Sequence, residues 1–166
     1  MNHMNETERG SAGPRPANSF LLAQIGAHAA AGFAKRIAEL DLAPAHVGLL
    51  RLVAQRPGQS QQELARQLRT PPSRLVLLVD HLEERGLIER RRNPDDRRHH
   101  ALFLTAEGGQ FLRTKLAPIG AAHEDDICAA LTEAERAQLA GLLGRIAEQQ
   151  GLIPGVHPGY QQLGGS

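Results

Sequence analysis

Along the middle of the chain, apolar residues recur at the spacing of an amphipathic helix and then change to the spacing of strands. In PPSRLVLLVDHLEERG, Leu75, Leu78, Val79 and Leu82 stand at i, i+3, i+4 and i+7, one face at 3.6 residues per turn. That face is expected to be buried. Ser73, Arg74, Leu77 and His81 fall on the opposite side. Gly86 stands where a helix would end in a left-handed residue, which glycine adopts cheaply. Residues 87–90 and 101–104 read as paired strands around the turn sequence Asn93-Pro94-Asp95-Asp96. Helix followed by an arginine-tipped hairpin is the plan of a winged helix.

The pattern extends to both sides. Residues 1–18, rich in Gly, Pro and polar groups, predict a disordered tail. Ser19 is expected to cap a helix from Phe20 to about Leu40, with Leu21, Leu22, Ile25, Phe33 and Ile37 among its apolar residues. Pro44 suits the first turn of a second helix whose apolar side is Val47, Leu49, Leu50, Leu52 and Val53, and Arg56-Pro57-Gly58 stops it. Ser60 with Glu63 has the spacing of a capping box opening a third helix, and residues 69–72 turn into the fourth. After the hairpin, Thr105 caps a long helix that Pro118 kinks or breaks near Ala117, and that continues through His123 to Leu131. Thr132 with Glu135 is a second capping box, opening a helix with Leu139, Leu142, Leu143 and Ile146 on one side. Residues 151–166 predict a loose tail. The fold class is therefore mainly α with a small β-wing. One domain spans 19–150, with a winged helix-turn-helix at about 44–104 and flanking helices at about 19–40 and 106–150. Those flanking helices are too apolar to stand alone. They predict a separate helical lobe through which two copies form a symmetric dimer.

Charge sharpens this picture. Residues 51–100 hold 11 Arg, no Lys and 7 acids, net +4, whereas residues 101–166 hold 4 basic and 7 acidic groups, net −3. A solvated hairpin explains some arginines. A basic middle hidden within a total of +1 points to phosphate, and so to double-stranded DNA, as partner. No apolar run is long enough for a membrane span and no leader opens the chain, so a cytoplasmic protein is expected. A single cysteine leaves no internal disulfide.

The order of elements and several local motifs resemble the multiple-antibiotic-resistance regulator (MarR) family. The matching stretches are residues 42–52, 58–65 and 78–88, and Asn93-Pro94-Asp95-Asp96-Arg97-Arg98 leading to Leu104-Thr105-Ala106-Glu107-Gly108. Together they extend over about residues 20–150. The resemblance implies a homodimeric winged helix-turn-helix transcription factor, usually a repressor released by a small, often aromatic ligand. It assigns minor-groove entry to Arg97, wing support to Asp95, and the groove-facing start of the recognition helix to Ser73 and Arg74. The expected DNA-facing set is Ser60, Gln61, Thr70, Ser73, Arg74, Leu77, His81, Arg91, Arg97 and Arg98. Leu77 departs from the family, which often has Arg or a small polar residue there, and so does His81, where the family often has Arg. Leu77 suits either a thymine methyl or a protein neighbour.

Other chemistry is sparse. The small residues from Ala27 to Gly32 suit close helix packing or a ligand recess, and His28, Phe33, His46 and His123 are the candidate lining residues for a small organic effector. Metal or redox sensing by the histidines or Cys128 is the alternative within the same fold. No His-x3-His pair supports a metal, and Glu124, Asp125 and Asp126 disfavour a thiolate at Cys128. No cofactor is implied. No catalytic motif is present, so the competing class is a winged helix used for protein assembly.

Overall fold

The computed structural model describes residues 15–92 and 100–157. Asp95, Arg97, Arg98 and His99 lie outside these residues, as do the ends of both predicted tails. The elements are α1 (Asn18–Ala38), α2 (Pro44–Gln55), α3 (Gln61–Gln67), α4 (Pro72–Glu84), β1 (Ile88–Arg92), β2 (His100–Leu104), α5 (Ala106–Phe111), a π-helical turn (Leu112–Leu116), α6 (Ala117–Ile127) and α7 (Glu133–Gln149). The mainly helical class with a small wing is as expected.

The core belongs to α2–α4 and the hairpin. Val47, Leu49, Leu50 and Val53 of α2, Leu64 of α3, and Leu75, Leu78, Val79 and Leu82 of α4 are buried with Ile88 and Leu102 of the strands. β1 and β2 pair antiparallel with Ile88 opposite Leu104 and Arg92 opposite His100. The segment before α3 adds a short third partner. Gly58 N–H donates to Leu102 O at 2.9 Å, Leu102 N–H donates to Gln59 O at 3.0 Å, and Ser60 bridges Ala101.

Caps set the joints. Ser60 Oγ accepts from Glu63 N–H at 3.2 Å while Glu63 Oε2 accepts from Ser60 N–H at 2.7 Å, and Thr132 with Glu135 repeats the arrangement before α7. The Ser60 bonds hold the Glu63 carboxyl below its usual range. Gly86, at φ +67, ends α4 in the left-handed conformation. Thr105 ties the wing to the next helix. Its hydroxyl donates to Gly86 O at 2.6 Å and accepts from Gly108 N–H at 2.9 Å. A Cβ on Gly108 would lie 1.9 Å from Leu87 O, so this position has room for glycine only.

Four expectations differ from what is found. α1 starts at Asn18 with Ala17 as its N-cap and no side-chain cap, so Ser19 lies inside the helix. Near Pro118 the helix does not stop, but its α-helical pattern gives way to a π turn over Leu112–Leu116 and resumes at Ala117. The π turn before it widens the spiral, and Ala117 N–H reaches back to Leu112 O, which accommodates a residue without a donor. α6 ends at Ile127, because Cys128 to Leu131 form a turn closed by Leu131 N–H on Cys128 O. Residues 151–157 are not a slack tail. Leu152 N–H donates to Ala147 O, Val156 N–H donates to Ile153 O, and Val156 packs on the core.

Candidate nucleic-acid interface

α3, its turn and α4 form the helix-turn-helix. The turn residue Arg69 has φ +48, with Thr70 N–H donating to Ala65 O at 3.0 Å, and this bend delivers Pro71-Pro72 to the start of α4. Buried Leu75, Leu78, Val79 and Leu82 fix the rotation of α4. That rotation leaves Ser73 exposed, Arg74 half-buried and Leu77 68% exposed, so Leu77 does not pack into the protein. A concavity of about 750 Å³ beside them is lined by Arg66, Arg69 and Thr70. At the base of the wing, Arg91 stacks over Phe103 at 4.4 Å and pairs with Glu89. Arg90 is occupied differently. Its guanidinium pairs with Asp80 and Glu83 of α4, and those acids outweigh the desolvation of its site to raise its pKa further. Arg90 therefore clamps wing to helix.

Three residues expected at DNA are placed otherwise. Thr70 is 7% exposed, with its hydroxyl enclosed and unpartnered, because the turn folds it between α3 and α4. His81 turns back toward the α1–α2 junction. Its Nε2 lies 3.0 Å from Asp41 O and its ring 4.5 Å from that of His46. The Ser60 hydroxyl is engaged in its cap. Gln61 is half-buried at the start of α3.

The expected ligand residues also divide. A recess of about 1020 Å³ lies along α1, and Phe33 and His123 line it with ring centroids 5.6 Å apart. Gly32 leaves room for His123, whose ring would stand 3.4 Å from a Cβ there. Arg36 pairs with Asp126 beside it, holding α1 to α6. His28 is exposed and does not line the recess, because the turn of α1 carries it off that face. His46 does not line it either. It sits in the first turn of α2, where Nδ1 accepts from Ala43 N–H at 2.9 Å, a side-chain cap made by a histidine. Burial first, then the charges of His81 and Arg85, push its pKa down to about 4. The Cys128 thiol is raised by desolvation and by its bond to Glu124, the direction opposite to activation.

The MarR family model matches residues 42–100, which run from the start of α2 to the wing. The chain is 37% identical over 123 residues to the putative transcriptional regulatory protein for the hcr operon of Thauera aromatica, covering 74% of each. This chain belongs to the MarR family. A second relative, the HTH-type transcriptional regulator BilQ of Clostridium symbiosum (strain WAL-14163), is 33% identical over 113 residues, covering 66% of this chain and 78% of BilQ. Among solved structures, the transcriptional repressor CouR bound to a 23-mer DNA duplex aligns with TM-score 0.68 and 32% identity, covering 79% of this chain and 92% of CouR. The protein is thus a DNA-binding transcriptional regulator of the MarR family, with no helix among the described residues long and apolar enough to cross a membrane.

Sequence reasoning passed over several residues of this MarR protein. Arg66 and Arg69 border the start of α4, and their signal was available as two cations three apart just before it. Arg51 lines the recess along α1. Nothing in the local pattern of α2 distinguishes it from an ordinary solvated arginine.

Proposed function

We propose that this MarR protein is a cytoplasmic homodimer that represses transcription at a pseudo-palindromic operator and is released by a small organic effector. The observation that carries the reading is the outward face of α4. Ser73, Arg74 and Leu77 share it, beside Arg66 and Arg69 and above a wing that begins with Arg91. Such a face suits a major groove, with Arg97 and Arg98 reaching the adjacent minor groove and Asp95 supporting the wing. Two such helices separated by about one turn of DNA, roughly 34 Å, read a two-fold site.

Dimerisation is supported by the apolar residues that α1 and α7 leave exposed, and effector binding by the recess between α1, α2 and α6. The test is anisotropy on fragments selected from the source genome, at several salt concentrations. Affinity should fall steeply with salt. Arg74→Ala should relax sequence preference by about 1–3 kcal/mol, and Arg97→Ala should weaken all sequences alike. Salt-independent affinity with both variants unchanged would move the interface elsewhere and favour a protein-assembly module.

A further inference from the structure

We propose that α4 reads its DNA site in two chemistries, with hydrogen bonds from its first turn and a thymine methyl group through Leu77 in its second. This rests on the DNA reading above and adds which base edge the middle of the helix takes. Buried Leu75, Leu78, Val79 and Leu82 fix the rotation of α4, and Ser73 and Leu77 stand one turn apart on the opposite side. Ser73 is exposed, Leu77 is 68% exposed, and Val76 beside it, at 40%, makes that turn apolar. The polar groups farther along the helix are committed elsewhere. His81 turns back to Asp41 O and His46. Asp80 and Glu83 pair with Arg90. Glu84, the last residue of α4, has the charge that phosphates repel. Ser73 and Arg74 are left as the hydrogen-bonding readers of this helix.

In the major groove the base pairs present donors and acceptors, and the C5-methyl of thymine is the apolar group among them. A leucine pressed on guanine or cytosine covers O6, N7 or the N4 amine without returning the bonds these make to water. Against thymine the same side chain removes two apolar surfaces from water. The cations around the patch favour DNA over protein as its cover. Arg66 and Arg69 border the start of α4, and Arg91 stands at the base of the wing. Four residues of helix rise about 6 Å, close to two base steps of about 3.4 Å, so Leu77 meets a base about two positions from the one Ser73 meets.

The test uses the tightest-binding fragment selected from the source genome, with each thymine replaced singly by deoxyuridine, which lacks only the methyl group. Anisotropy should show binding about fourfold weaker at a thymine in each half-site, the value of one buried methyl group. Leu77→Ala should bind the thymine and uracil forms of that position alike, whereas Ser73→Ala should keep the difference. Leu77 is exposed and alanine is the better helix former, so the variant should stay folded, with thermal unfolding reporting it. If no uracil weakens the parent, or if Leu77→Ala keeps the difference at every responsive position, the methyl contact is overturned, while salt-dependent binding leaves the regulator reading in place. If the parent shows no salt-dependent preference for any fragment, both fall.

Discussion

Two helices of this protein carry the same apolar spacing and meet opposite fates. Leu75, Leu78, Val79 and Leu82 of α4 and Leu139, Leu142, Leu143 and Ile146 of α7 both stand at i, i+3, i+4 and i+7. The first four are at most 8% exposed, and the second four are 37% to 47% exposed. α4 lies among α2, α3 and β1, which close over its face. α7 buries no residue and is fastened mainly at its start, where Arg136 donates to Cys128 O and pairs with Asp125. Phe20, Leu22 and Ile25 of α1 are left open in the same way. Periodicity therefore identifies a face that needs cover without identifying what covers it. One region of the molecule supplies its own cover. The other leaves its apolar face open.

That contrast can be broken at either end. Leu75→Ala should have the largest effect, about 2–5 kcal/mol of unfolding free energy through transfer and cavity terms, read from urea midpoints. Replacing Leu142 and Ile146 by Arg should act on assembly instead. Sedimentation should shift to the 18.0 kDa monomer while far-ultraviolet dichroism stays helical. If this variant remains a dimer, the covering copy sits on another face.

The smallest effect tests the joint between the two regions. His46 has its pKa lowered from 6.5 to about 4 in the folded protein. Between those values the unfolded chain binds the additional proton, so stability rises with pH across the window and is lost as pH falls from 6.5 toward 4. Allowing for partial solvent exposure, the loss at pH 5 should be about 1 kcal/mol. Comparing urea midpoints at pH 7.5 and 5 for the parent and His46→Gln isolates it. An equal fall in both proteins would assign the dependence to another group.

The two serine and threonine capping boxes, the glycine at the end of α4 and the buried faces of α2 and α4 were readable from the chain, because each is a local pattern with a local cause. The hairpin was readable for the same reason. What escaped depends on neighbours distant in sequence. Thr70 looked like a surface turn residue until α3 and α4 closed on it. His46 and His81 looked like a ligand group and a base reader, but they meet each other across the α2–α4 contact. Arg90 ends the stretch read as the first strand, and the acids it holds lie on the preceding helix, seven and ten residues back. Periodicity likewise says nothing of Val156, whose place is set by two consecutive turns after α7. The π turn over Leu112–Leu116 just before Pro118 has no counterpart in the apolar spacing.

The crowded contact between Gly108 and Leu87 O gives the wing and the helix behind it the mechanics of a lever. With Thr105 bonded to both sides of that contact, the joint has almost no free play. The helical rod from Ala106 to Ile127 contains 22 residues and is about 33 Å long at 1.5 Å per residue. Tilting such a rod by about 5° about its wing end displaces the far end by about 3 Å, in proportion to that length. A rigid tilt of the same size applied at the far end would carry the base of the hairpin with it through Thr105 and the Gly108 contact.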